Sequence, residues 1–410
     1  MPNRRQVLQS VGAALATGAS FITRPSAHAA ETPLTAGLPG GVYDTATLEA
    51  LPGKKPLLKL AYRPPNYETP IAYFDTPITP NDAFFVRYHL ADIPETIDVA
   101  TWKVKVGGEA ATSPLELAMA DLRSGFEPVE LTAVCQCSGN RRGLSNPHVA
   151  GVEWGLGAMG NATWKGVRLK DVLAKAGLGK DALEIVVNGA DGPVTDKTPD
   201  FIKSLPVWKA LDENTLIAYE MNGQPLPHFN GYPARLIVPG WTATYWMKHL
   251  ISIDAVTKPF GGFWMKSAYR IPVGKFPVIQ HFQSQMTEAN EPITEMVLNS
   301  LITAPAQGHK ASPGKPIEIR GVAWDGGYGI TRVEVSIDDG KLWREATLGK
   351  DLGRYSFRPW SFRFTPRSPG SYRVTARASN AVGQTQAEAL IFNPAGYHNN
   401  VARPVTVTVG

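Results

Sequence analysis

Val129–Leu144 reads VELTAVCQCSGNRRGL. Its first half is apolar and β-branched enough to predict a strand. That strand ends on Cys135 and Cys137, turns through Ser138-Gly139-Asn140, and places Arg141 and Arg142 in the turn. A thiol beside two guanidiniums at one strand end is a candidate site. Cys135 and Cys137 are the only cysteines in the 410 residues.

The chemistry of two such cysteines is bounded by their spacing. One residue apart on a strand, they lie roughly 6–7 Å from each other, beyond the reach of an unstrained disulfide. A zinc site needs further Cys or His ligands at short spacing, and none is nearby. The chain has no C-x-x-C-H, so it carries no covalently attached c-type haem. Two readings stay open on these residues alone. Either one thiolate serves a soft, redox-active metal beside an arginine-bound anion, or the cysteine is a packing residue and Arg142 a surface ion pair.

Working outward, Phe84–Leu90 (FFVRYHL) predicts a strand on which Arg87 and His89, two apart, share a face. Trp102–Val106 alternates as a strand, Pro114–Ser124 predicts a short helix, and Gly166–Ala176 has helical apolar spacing closed by Gly177. Leu183–Val187, Leu216–Tyr219 and Ala234–Val238 are short apolar strands. From about Ile293 onward the chain reads as strands separated by turns such as Asp338-Asp339-Gly340, with no helical pattern between them. An α+β domain over 81–287 followed by an immunoglobulin-like β-sandwich over 288–410 is the fold class expected. Residues 31–80, rich in Pro and Gly, predict an extended lead-in with little regular structure.

Residues 1–30 predict an export signal. Asn3-Arg4-Arg5-Gln6-Val7-Leu8 is a relaxed twin-arginine pattern, Val11–Ile22 is a short apolar run, and Ala27-His28-Ala29 a cleavage site. The formal charge of +5 comes mostly from that segment, which holds Arg4, Arg5 and Arg24 and no acidic residue. Neither nucleic acid nor a membrane is called for as a partner. Hydrophobic content of 43% with 19% charged residues is that of a globular protein.

The string CSGNRRG resembles the metal-cysteine loop of the sulfite oxidase family. The resemblance extends in order through FFVRYHL at 84–90, GVEWGLGAMGNATWKGVRLKDVL at 151–173, AYEMNGQPLP at 218–227, GYPARLIVPG at 231–240 and GVAWDGGYGITRVEVSIDDGKLW at 321–343. It covers roughly residues 75–410. It implies a sulfite-oxidase-type molybdopterin domain followed by a dimerisation domain, with one molybdenum on a single pyranopterin dithiolene and Cys137 as its protein ligand. Cys135 is then a buried strand residue. Arg87 and Arg142 match the family's sulfite-pocket arginines, Trp154 the pocket tryptophan, and Tyr269 the tyrosine beside the reacting centre. Phe85, Val86, Arg87, Tyr88, His89, Asp191, Asn230, Arg235, Trp246, Met247 and Lys248 fall on cofactor-contact positions.

Three departures bear on function. Tyr88 stands where Asn is usual, and Asn230 where animal members carry His. Ala395 stands where animal members place a third pocket arginine, leaving the pocket less positive unless a cation such as Arg270 substitutes. No haem or flavin domain is recognisable in the chain. The expectation is therefore a periplasmic sulfite dehydrogenase, homodimeric through the sandwich, passing electrons to a separate c-type cytochrome. A sulfoxide reductase and a non-catalytic binding protein lacking cofactor are the rival expectations.

Overall fold

The computed structural model describes residues 47–273 and 285–410; the expected export signal lies outside them. The focal strand forms as expected, over Pro128–Gln136, and pairs antiparallel with Met159–Arg168 along its whole length, from Pro128 opposite Val167 to Gln136 opposite Met159. Thr132 and Thr163 face each other across this pair with their hydroxyls 3.0 Å apart. Leu216–Met221 continues the sheet on the far side of Met159–Arg168.

A second, five-stranded sheet runs in the order Lys203–Pro206, Glu184–Gly189, Leu250–Val256, Lys103–Gly107, Leu115–Ala118. Its one parallel pair joins Leu250–Val256 to Lys103–Gly107. Beyond residue 298 the chain forms two facing sheets. One is built on Asn299–Ala304, Ile317–Trp324 and Arg358–Phe364, the other on Ile330–Ser336, Gly370–Asn380 and Val405–Val409. Their inner faces share a core that includes Ile319, Val333, Trp360, Val374 and Val407.

A separate apolar cluster joins this sandwich to the rest. Val134, Leu144, Leu156 and Met159 pack with Leu301, Val322, Trp324 and Phe357. Burying each such side chain is worth roughly 1.5–3 kcal/mol relative to exposure. The joint therefore lies directly behind the end of the focal strand, which is why the sandwich can shape the cysteine loop.

The structure corrects several local readings. Residues 47–80 are not an irregular lead-in: Thr47–Glu49, Leu57–Ala61 and Asn66–Glu68 form a sheet with Val86–Arg87. Glu68 on that sheet accepts hydrogen bonds from the backbone N–H of Gly155 (2.7 Å) and Gly157 (2.6 Å), so it braces the segment after the cysteine loop. The strand expected over 84–90 is only Val86–Arg87. The helix expected over 114–124 divides into the strand Leu115–Ala118 and the helix Met119–Ser124, whose Asp121 carboxylate accepts from Ala118 N–H at 2.8 Å. The helix expected from Gly166 begins at Leu169, because the preceding residues belong to the strand Met159–Arg168. That strand is rich in small residues for a steric reason. A Cβ on Gly160 would lie 2.4 Å from the Phe84 ring, and one on Gly166 would lie 2.1 Å from Ile217 O.

Candidate active site

The cysteine loop is closed by its own backbone and by the second domain. Cys137 N–H donates to Ala158 O (2.9 Å), Asn140 N–H to Cys137 O (3.0 Å) and Arg142 N–H to Gly139 O (2.9 Å). The Asn140 amide oxygen accepts from Ala158 N–H at 3.1 Å. Arg141 takes the left-handed conformation, φ 71°, which reverses the chain after the turn. Its fully buried side chain then runs into the sandwich, donating to Ser300 O (2.9 Å) and Val401 O (3.2 Å). Asn399 from the sandwich donates back to Arg141 O at 3.1 Å, and Trp324 Nε1 donates to the Gln136 side chain at 2.6 Å.

Cys137 opens into a pocket. Of the residues expected there, Phe85, Arg87, His89, Asp191, Asn230, Arg235, Trp246, Met247, Lys248 and Tyr269 line it together with Cys137. They come from five stretches of chain. Arg87 and His89 both reach Tyr269: His89 Nε2 hydrogen-bonds the phenol, and Arg87 Nη2 donates to it at 3.5 Å. The shared face expected for these two residues survives although the strand ends at Arg87. His89 stacks on Phe201 with ring centres 3.6 Å apart. Burial, with the charges of Arg87, Lys248, Lys203 and Arg142, holds His89 well below the usual histidine range, so it is neutral. Burial pushes the Tyr269 phenol up, against the pull of Arg87. Tyr269 sits at φ 58°, a costly conformation for a bulky residue that the surrounding contacts must hold.

At the other end, Arg235 lies between the rings of Trp164 and Trp246, at 5.3 and 5.7 Å. It donates to Asn230 O at 3.1 Å and to Cys135 Sγ at 3.2 Å. Cys135 is thus more than a packing residue; its thiol, pushed up by burial, anchors that guanidinium. Lys248 donates to Arg87 O at 2.7 Å and lies 3.8 Å above the Tyr88 ring. Burial brings its ammonium down to about 8. Asn230 donates to Phe85 O at 3.1 Å and accepts from the buried Lys54, itself a product of the sheet that the sequence did not reveal.

Four expected residues do not line the pocket. Val86 is in the core, and Tyr88 points away from the cleft, its phenol 2.7 Å from His249 Nε2. Trp154 is wholly buried, with no protein partner at its indole N–H. Arg142 stands just behind the lining in a slot walled by three glycines: a Cβ on Gly139, Gly151 or Gly396 would come within 2.6, 3.1 or 2.9 Å of its side chain. Its Nε donates to Ala395 O (2.8 Å) and its Nη1 to Val152 O (3.2 Å). Where animal members are expected to supply a third arginine, this chain therefore supplies a carbonyl that holds Arg142. Arg270 does not substitute either; it donates to Met265 O at 3.0 Å and to Asn290 O.

Ser138, Phe201, Phe229, Ala243 and Thr244 also line the pocket, and the sequence reading missed them in that role. Tyr397 was missed too. It stacks on Tyr269 with ring centres 5.6 Å apart and faces the Arg142 guanidinium at 5.3 Å. Ser138 sits inside the quoted loop and was legible there; Phe201 and Tyr397 carried no spacing signal.

The pocket's unmet chemistry fits a polar, anionic group held through one thiolate. The Ser138 and Thr244 hydroxyls and the Nε atoms of Arg87 and Arg235 are buried without a protein partner. Three cations, Arg87, Arg235 and Lys248, face one carboxylate, Asp191. Among the described residues no three His, Cys, Asp or Glu side chains gather as a conventional metal site, so any metal here takes its remaining ligands from outside the protein.

Comparison with known proteins gives this arrangement its class, the molybdopterin oxidoreductases. Residues 90–264 match the oxidoreductase molybdopterin binding domain, and residues 290–409 the Mo-co oxidoreductase dimerisation domain. Rat mitochondrial sulfite oxidase is 35% identical over 375 residues, spanning 87% of this chain and 67% of that protein. Sulfite oxidase of Arabidopsis thaliana is 30% identical over 90% of this chain and 98% of its own length. In three dimensions the sulfane dehydrogenase SoxCD of Paracoccus pantotrophus matches with a TM-score of 0.73 and 25% identity, over 93% of this chain and 92% of that one. The chain belongs to the sulfite oxidase family of molybdopterin oxidoreductases.

Proposed function

We propose that this protein is a sulfite dehydrogenase, oxidising sulfite to sulfate and passing the electrons to a separate c-type cytochrome. The observation that carries the reading is the convergence of Cys137, Arg87, His89 and Tyr269 on one cationic pocket. Cys137 would hold the molybdenum, with Arg235, Lys248, Ser138 and Thr244 around its organic ligand. When bound, that group supplies two-electron redox chemistry with oxygen transfer. The net reaction takes sulfite and water to sulfate, two protons and two electrons.

The chain's own residues supply binding and proton handling. Arg87, with Arg142 behind it, offers fixed positive charge to a compact oxyanion in a water-poor cleft, where such charge acts strongly. The phenol of Tyr269 and neutral His89 share a hydrogen bond, so this pair holds a proton beside the bound anion and offers it an exit. The stacked Tyr397 and the Arg87 contact keep the phenol in place.

The sequence of residues 1–30 supports export to the periplasm by the twin-arginine route. The matched dimerisation domain supports a homodimer through the sandwich. Purified protein is expected to oxidise sulfite with ferricyanide or a c-type cytochrome as acceptor; no oxidation at any pH would remove the reading. The likeness to a sulfane dehydrogenase makes sulfane sulfur the second substrate to assay. Reduction of a sulfoxide by reduced dye, without sulfite oxidation, would favour the reductase instead.

A further inference from the structure

A further cation lies directly behind the pocket wall. Lys203 begins the edge strand Lys203–Pro206, and none of its surface reaches solvent. Its ammonium donates to Trp264 O at 2.6 Å and lies 5.3 Å from the centre of the Tyr269 ring and 4.7 Å from that of Tyr245. Among the described residues it has no carboxylate partner, and the charge acting on it most is that of Arg270, which repels it. The neighbouring strand carries Glu184, whose carboxylate is engaged by Phe260 N–H, and the following helix carries Lys209, paired with Asp212. One carbonyl and two ring faces return less than an ammonium loses on leaving water. A lone charge kept there is accounted for when the adjacent site holds an anion.

The other side of Tyr269 is that site. The phenol meets Arg87 and His89 there, and the charge of Lys203 reaches far enough to depress His89. The sandwich supplies no third cation, since Ala395 gives only its carbonyl. We propose that Lys203 takes the third cation's place as a positioning residue, acting through Tyr269 to strengthen binding of a small oxyanion such as sulfite or sulfate. This rests on the oxyanion reading of the pocket. Burial holds the Lys203 ammonium down to about 7, so an anion arriving beyond the ring favours its protonation, and binding is linked to proton uptake.

The test is sulfate binding to the holoenzyme, because sulfate stays a dianion from about pH 6 to 9 whereas sulfite titrates. Calorimetry gives the Kd, and competition against sulfite oxidation gives an independent value. Wild type is expected to lose affinity as pH rises through this range. Lys203→Met is expected to bind sulfate about tenfold more weakly at pH 6 and to lose most of that pH dependence. Lys203→Arg, always charged, is expected to retain the affinity and flatten the dependence, leaving only the part contributed by Lys248. Lys203→Met binding sulfate like wild type at pH 6 overturns the inference. If that variant loads too little molybdenum to assay, a wild-type pH dependence in Lys203→Arg overturns it equally. Wild type that neither binds sulfate nor oxidises sulfite overturns the functional reading itself. Wild type that does both beside an unaffected Lys203→Met overturns the inference alone.

Discussion

Gly139→Ala tests whether the glycine slot sets the Arg142 guanidinium. Gly139 has an ordinary backbone conformation, so Ala suffers no φ penalty and by itself stabilises by about 0.4–1 kcal/mol through the unfolded state. The new Cβ, however, would lie 2.6–2.7 Å from Nη1, Cζ and Nη2 of Arg142. Contact at normal separation requires the guanidinium to retreat by about 1 Å. Gly151 and Gly396 close the other sides, so retreat breaks at least one of the bonds to Ala395 O and Val152 O. A hydrogen bond from a charged donor is worth about 1.5–3 kcal/mol, which leaves a net loss of about 0.5–2.5 kcal/mol. In thermal unfolding of a chain this long that is a fall in Tm of about 0.5–3 °C. In steady-state assays KM for sulfite rises more than kcat falls, because the displaced charge, acting from behind the lining, attracts the anion in ground and transition states alike. An unchanged Tm together with an unchanged KM would refute the slot as the device that positions Arg142.

Three further outcomes are expected. Tyr269→Phe removes the phenol that joins His89 to Arg87, and kcat should fall about 10- to 100-fold at unchanged molybdenum content; equal loss of metal would contradict its role. Asn399→Ala deletes the sandwich's bond to Arg141 O and should lower unfolding free energy by about 1–2 kcal/mol in urea titrations while raising KM, showing that the second domain shapes the cysteine loop. Burial holds His249 down to about 3 and His398 down to about 4, below the unfolded value of 6.5. Between those limits the unfolded chain binds more protons than the folded one. Stability is therefore lost as pH falls from about 6.5 toward 4, by up to about 1.4 kcal/mol per pH unit for each histidine. His249→Gln should flatten that slope; a slope identical to wild type would contradict the assignment.

The parts of the site legible in the sequence were those written locally. The loop around Cys137 declared itself through a β-branched run, a Gly-Asn turn and adjacent arginines, and the two-residue spacing of Arg87 and His89 survived even where their strand was shorter than read. What the sequence did not show depended on partners distant along the chain. Met159–Arg168 is held as a strand by partners on both sides, while Phe84 and Ile217 leave room only for glycine at 160 and 166, so it lacks the β-branched alternation that marks strands. The sheet of residues 47–68 hid behind Pro and Gly, which mark its turns rather than an absence of structure. Lys203 and Tyr397 acquire meaning only when the edge strand and the sandwich both meet Tyr269. Arg142 illustrates both sides: its identity was plain, but that it hangs from Ala395 O rather than lining the cleft was not.

The central claim is that Cys137 carries molybdenum competent to oxidise sulfite. Elemental analysis of protein purified from an export-competent host, followed by a Mo(V) EPR spectrum after partial reduction with sulfite, tests it directly. The account predicts one molybdenum per chain and a sulfite-generated Mo(V) signal, the signal lost in Cys137→Ser. Folded wild-type protein without molybdenum, or with molybdenum that sulfite does not reduce, would contradict it.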